Sequence, residues 1–173
     1  VNLFGRPINL SIAGDLNVGL LYITAITSIS VYGIVLAGWS SNNKYATLGG
    51  IRSSAQMISY ELALGLSFIG PILLASSMSM NDIVVAQKSV WYLFYQPVAA
   101  LIFYIAALAE VNRAPFDMPE AEQELTAGYH TEYSGMKFAL FFMGEYIKMI
   151  GVSAIWVTLF FGGWQGPFVE QIP

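Results

Sequence analysis

The sequence predicts an all-α fold, a multi-pass integral membrane helix bundle with four spans at about 16–39, 52–77, 91–109 and 134–161. The first observation behind it is composition. The chain of 173 residues is 56% hydrophobic and only 10% charged, whereas an ordinary soluble domain carries about 25% charged residues. That leaves too few polar side chains to cover a water-facing surface. The second observation is where the charges fall. No Asp, Glu, Lys or Arg occurs from Leu16 to Asn43, from Ser89 to Ala109 or from Met149 to Val169, and between Ser53 and Asn81 Glu61 stands alone. A helix needs about 20 mostly apolar residues to cross ~30 Å of hydrocarbon. Four stretches meet that requirement, and residues 1–173 read as a single membrane domain.

The first span ends at SSNNKYATLGG, whose Ser, Asn and Gly cluster marks a polar turn and whose Trp39 and Tyr45 suit an interfacial belt. The second leaves the membrane at SSMSMND, with a kink expected at Pro71. The third runs to Ala109 and gives way to an acidic loop over 110–133, the most charged part of the chain. The fourth closes at GGWQGPF. Lys44, Arg52, Arg113 and Lys137 flank the loops after the first and third spans, against Arg6 and Lys88 on the other side. The positive-inside bias therefore places the acidic loop in the cytoplasm or matrix. The opening VNLFGRPINL lacks the charged, apolar and cleavage regions of a signal peptide, and the abrupt ends suit a fragment. No internal repeat or low-complexity tract is visible.

Several function classes drop out. There is no basic stripe for nucleic acid, and the net charge of −4 is uninformative because membrane proteins are read by charge placement. Zero cysteines exclude disulfides, zinc–thiolate sites and thiolate-held iron–sulfur clusters on this chain. His130 is the only histidine, without metal-ligand spacing, so no metal is expected. No phosphate-loop or dinucleotide fingerprint occurs, and no nucleophilic triad stands out.

The candidate residues are carboxylates at depth. Glu61 lies about ten residues into its predicted span, ~15 Å down; its helix stripe carries Ser54 and Gly65, so it must face protein or water. Packing glue is the bland alternative. Glu145 repeats the pattern in MKFALFFMGEYIKMI, with Lys148 three residues on, on the same face and expected to share its charge. A structural ion pair competes there with proton exchange. Glu110 ends the third span, where solvation by interfacial water would suffice. In the loop, Asp117 reads as a helix N-cap with Pro119 in the first turn. Glu120, Glu122 and Glu124 follow, of which Glu120 and Glu124 share a face, and with Glu132 they could form an acidic funnel. Arg113 and Phe116 offer a cation and an aromatic ring to a flat polar ligand.

The strings SSNNKYATLGGIRSSAQMISYELALGL, AEVNRAPFDMPEAEQELTAGYHTEYSGMKFALFF and GEYIKMI resemble the quinone-site membrane subunit of respiratory complex I, the proton-pumping NADH:quinone oxidoreductase. The resemblance runs from about Asp15 to Gly166. It implies a family member of eight spans, of which this chain supplies the third to sixth. It further implies a proton path through Glu61, Glu110, Glu120, Glu122, Glu124, Glu132, Glu145 and Lys148, and a quinone tunnel bordered by Arg52, Arg113, Phe116 and Asp117. The resemblance makes the chain a subunit of an enzyme without a complete redox site of its own. Its substrate would be ubiquinone or menaquinone, nothing would be bound covalently, and iron–sulfur clusters and flavin would reside only on partner subunits. The partners implied are the peripheral-arm subunits of the quinone site, neighbouring small membrane subunits and lipid. The location implied is an energy-transducing membrane, with the PEAEQEL and GGW forms leaning toward a bacterial inner membrane over a mitochondrial one.

Other readings are the homologous subunit of an energy-converting hydrogenase, which passes electrons to protons, and an unrelated proton-coupled transporter or channel using intramembrane carboxylates. A passive anchor for peripheral subunits would need the loops but neither Glu61 nor Glu145.

Overall fold

A computed structural model describes residues 2–3, 6–7, 16–116 and 128–165. Among them are six α-helices: α1 Gly19–Ser40, α2 Lys44–Ala75, α3 Met80–Ala86, α4 Tyr92–Tyr95, α5 Pro97–Glu110 and α6 Gly135–Phe160, with a 3₁₀ turn at Gly128–His130. At the amino end Asn2–Leu3 pairs antiparallel with Arg6–Pro7. The fold is an inside-out bundle. On α2, Leu62, Leu66 and Leu73 are 70%, 71% and 71% exposed, while Ser53, Met57 and Ser67 are buried. Soluble monomers rarely leave a continuous apolar face in water, so this face suits a membrane interior, against lipid or other membrane helices.

Three helices are long and apolar enough to cross a membrane. α1, α2 and α6 have 22, 32 and 26 residues, or ~33, ~48 and ~39 Å at 1.5 Å per residue. α1 and α2 form an antiparallel pair closed by glycine. A Cβ on Gly38 would sit 2.7 Å from the Ala46 carbonyl oxygen and 3.3 Å from the Gly50 Cα, so only small residues permit this backbone approach. Asn42 takes a left-handed φ of 50° in the turn. Asn43 Oδ1 accepts from the Tyr45 backbone N–H at 3.0 Å, and that cap starts α2 at Lys44, eight residues before the predicted 52. Pro71 is buried inside α2, which continues through it to Ala75.

The third predicted span is the one that is not a continuous helix. Residues 91–109 do not form one helix: α4 stops at Tyr95, Gln96 adopts φ −135° and ψ 58°, and Pro97 opens α5. A residue before proline is pushed out of the helical region, and proline, lacking an N–H, is tolerated at the first helical position. α5 therefore has only 14 residues, ~21 Å, short of the ~30 Å hydrocarbon thickness. The described residues thus give three helices long and apolar enough to cross a membrane and one shorter apolar helix, consistent with the multi-pass bundle.

The core lies where α5, α3 and the carboxyl half of α6 meet the end of α2. Leu64, Ile83, Phe103, Leu159 and Phe160 are buried together, with the Phe103 and Phe160 rings edge to face at 5.9 Å. Gln87 staples this end. Its Nε2 donates to the Thr158 carbonyl at 2.9 Å and its Oε1 accepts from the backbone N–H groups of Gly162 and Tyr92 at 3.1 and 3.3 Å. The buried residues of α6 are Val152, Leu159 and Phe160, all in its second half. Its first half stands away from α1, and the gap between them is the site.

Candidate functional site

The short helix α5 sets the position of the charges. Its last residue, Glu110, meets Lys148 of α6, whose Nζ lies 3.2 Å from Glu110 Oε1 and donates to the Glu110 carbonyl at 3.2 Å and to Ser30 Oγ of α1 at 3.4 Å. Lys148 is thirteen residues into α6 and Ser30 ten residues short of the end of α1, or ~20 and ~15 Å along their helices. α5 therefore ends near mid-height of its neighbours, and the chain from Val111 onward turns irregular at bilayer depth. Non-helical backbone is tolerated there only where protein buries it or where it lines a hydrated cavity.

Here the segment is held by side chains of α2 on one side and borders a cavity on the other. Gln56, on the face of α2 toward α5, donates from Nε2 to the carbonyls of Ala109 and Phe116, each at 2.8 Å, and lies 3.2 Å from Asn112 Oδ1. Asn112, in a left-handed turn with φ 55°, donates to Ser53 Oγ at 3.2 Å. Phe116 packs its ring on Tyr60 at 5.3 Å. Residues 110–116 are thus pinned along α2 from Ser53 to Tyr60. On the other side lies a cavity of about 510 Å³, lined by α1, α6 and the end of α5, with Thr27, Ser30, Glu110, Glu145 and Lys148 among otherwise mostly apolar walls.

Glu145 lines this cavity and pairs with Arg113, Oε1 to Nε at 3.2 Å. The Arg113 guanidinium also lies over the Tyr146 ring, 5.4 Å from its centre. The expected sharing of charge between Glu145 and Lys148 is therefore corrected. The partners are crossed between elements: Lys148 serves Glu110 and Arg113 serves Glu145. Glu110 is likewise not a solvated interfacial residue. It is 6% exposed, because α5 is too short to carry it to the surface. An ionised carboxylate so placed needs its cation.

Glu61 faces α1, where Ser28 Oγ donates to its Oε1. Ser28 lies near the middle of α1, so Glu61 stands at bilayer mid-depth, half-buried and outside the cavity lining. Glu132 is exposed and accepts from Asn43 Nδ2 at 2.8 Å. With Tyr133, whose hydroxyl donates to the Ala37 carbonyl at 3.0 Å, it ties the loop to the α1–α2 turn. Arg52 is exposed on α2. The structure thus gathers Glu110, Arg113, Glu145 and Lys148, and leaves Glu61, Glu132 and Arg52 apart. Asp117, Glu120, Glu122 and Glu124 lie outside the described residues.

Sequence reasoning passed over Gln56, Asn112 and Gly49. A Cβ on Gly49 would come within 2.9 Å of Gly128 Cα and the Tyr129 nitrogen, so this glycine seats the 3₁₀ turn on α2. A glutamine inside an apolar stretch was the available signal for Gln56. For Gly49 none existed, since LGG also reads as a turn.

A sequence model of the NADH dehydrogenase family matches residues 3–172. The chain is 56% identical to the H-type subunit of NADH-quinone oxidoreductase from Protochlamydia amoebophila, over 96% of this chain and 51% of that protein. It is 58% identical to an H-type subunit of the same enzyme from Geobacter sulfurreducens, over 98% and 51%. It is 57% identical to NADH-quinone oxidoreductase subunit 8 of Rhodothermus marinus, over 91% and 48%. The chain spans about half the length of these relatives, and its three membrane-length helices, short α5 and crossed ion pairs are features of a sequence that belongs to the NADH dehydrogenase family.

Proposed function

We propose that the chain forms the quinone-site part of the membrane subunit of a bacterial NADH:quinone oxidoreductase. In this reading the cavity between α1 and α6 belongs to the route by which quinone reduction is coupled to proton translocation. The observation that carries it is the pair of ion pairs, Glu110–Lys148 and Arg113–Glu145, held side by side at bilayer depth against a cavity of about 510 Å³. Charged side chains there are costly and mark ion or proton routes, and the relatives' names supply the chemistry.

Reduction of a quinone to a quinol consumes two electrons and two protons. The electrons come from partner subunits that carry flavin and iron–sulfur clusters, since this chain has no cysteine to hold a cluster. Arg113 and Phe116, with Arg52 and Asp117, border the tunnel in this reading. Loss of protons at its end makes the nearby carboxylates more negative and draws on Lys148 and Arg113. The change passes through Glu110 and Glu145 toward Glu61, with Glu120, Glu122, Glu124 and Glu132 as the loop portion of the path. The host membrane is the bacterial inner membrane, and the partners are the peripheral-arm and small membrane subunits.

The test is Glu145→Gln in the intact assembly. Quinone reduction coupled to proton uptake should fall about tenfold, the scale of one charge-assisted hydrogen bond, while NADH oxidation by an artificial acceptor at the peripheral arm is unchanged. Full coupled activity in an assembled variant would end the role assigned to Glu145.

A further inference from the structure

Glu61 is held by a side chain that no motif in the chain advertises. Ser28 Oγ donates to Glu61 Oε1, and the same oxygen lies 2.9 Å from the Thr24 carbonyl. A hydroxyl has one hydrogen to give and two lone pairs to receive with, so Ser28 cannot donate to both acceptors at once. The Thr24 carbonyl does not depend on it, because Thr27 Oγ1 also donates there at 2.9 Å.

We propose that Ser28 is a positioning residue that allows Glu61 to change protonation at bilayer depth. This deepens the proposed function and rests on Glu61 lying in the proton path. With Glu61 ionised, Ser28 donates to the carboxylate and the Thr24 carbonyl keeps Thr27. When a proton reaches Glu61, the new carboxyl O–H donates to Ser28 Oγ, and Ser28 turns its own hydrogen to the Thr24 carbonyl. Ser28 keeps its proton throughout; only its orientation changes. In both states the Glu61 Oε1–Ser28 Oγ contact keeps one donor and one acceptor and the Thr24 carbonyl keeps a hydroxyl donor, which eases a change of charge away from water. The geometry also joins Glu61 to the cavity. Thr27 lines the cavity that holds Glu110 and Lys148, so Thr27, the Thr24 carbonyl and Ser28 form a polar crossing through α1.

The experiment uses the intact assembly and an infrared difference spectrum recorded on quinone reduction, with coupled proton uptake measured alongside. The protonated-carboxyl band that disappears in Glu61→Gln identifies Glu61. Ser28→Ala, which places the best helix former in α1, should shift that band and lower coupled turnover about tenfold, and Ser28→Thr, which keeps the hydroxyl, should restore both. If Glu61→Gln removes the band but Ser28→Ala matches the wild type in band and turnover, the role of Ser28 is overturned while that of Glu61 stands. If Glu61→Gln alters neither band nor turnover, Glu61 is outside the path and the proposal falls with it.

Discussion

Replacing Lys148 by methionine keeps an unbranched side chain one atom shorter and removes the charge, leaving the Glu110 carboxylate without the cation at 3.2 Å. Both side chains are well shielded, at 16% and 8% exposure, so solvent offers little compensation. Breaking a buried pair from one side costs about 3–5 kcal/mol. Lys148 also donates to the Glu110 carbonyl and to Ser30 Oγ, and those bonds are lost too. A destabilisation of about 3–5 kcal/mol follows, or a drop of roughly 6–20 °C in unfolding temperature for a unit of this size. The assay is a thermal ramp on the detergent-solubilised assembly, following release of this subunit. Removing both charges, in Glu110→Gln with Lys148→Met, should recover the part of the loss that comes from the stranded carboxylate, because replacing a whole buried pair is often neutral, while the bonds to the Glu110 carbonyl and Ser30 stay lost. A single variant that shifts by less than about 2 °C, or a double variant that loses the sum of the two singles, would refute a buried and mutually dependent pair.

Gly49→Ala puts a Cβ against the backbone of Gly128 and Tyr129 at 2.9 Å. It should cost about 1–3 kcal/mol of stability through overpacking, and limited proteolysis should cut the 111–134 loop faster; wild-type resistance would show that the turn is not seated on α2. These 173 residues contain no cysteine, so single cysteines introduced at Asn42 and Glu132 report the topology of this segment by comparison with the unsubstituted protein. Both should react with an impermeant maleimide from the cytoplasmic side, and cysteines at Met78 and Val90 from the opposite side. Labelling of all four from one face would contradict the crossing of α1, α2 and α6.

The helices that cross the membrane were legible because lipid imposes a simple rule on sequence: an apolar stretch of sufficient length. The same rule made Glu61 and Glu145 conspicuous, since a lone carboxylate in such a stretch has few bland explanations. It misjudged Glu110. Counting residues from the start of an apolar run at Trp91 puts Glu110 at the far interface, but the break at Gln96–Pro97 separates α4 from α5 and leaves Glu110 at depth. The pairing of Glu145 with Lys148 failed for a related reason. Spacing along a helix compares residues on one element, whereas the cations chose carboxylates on other elements. Ser28 and Gly49 act through neighbours more than thirty residues away in sequence, and nothing local distinguishes them.

The shortness of α5 connects these observations. A full span in its place would carry residues 110–116 to the interface, where water would satisfy their backbone groups and the carboxylate of Glu110 alike. Ending ~21 Å from its start, α5 instead leaves its last carbonyls and an irregular turn within the bundle. They are satisfied by Gln56 from α2 and Lys148 from α6. Those two long polar side chains are therefore required by backbone chemistry, whatever else they do. Once Lys148 is at depth for that reason, Glu110 can be there as its counter-charge, and the first half of α6 must stand off α1 to give the turn and the second pair, Arg113–Glu145, their space. The proline that starts α5 too late and the cavity that holds the charges are two ends of one structural cause. Lengthening α5 by replacing Pro97 with alanine, so that α4 and α5 join, should therefore disturb the Glu110–Lys148 pair about 20 Å away without touching either residue.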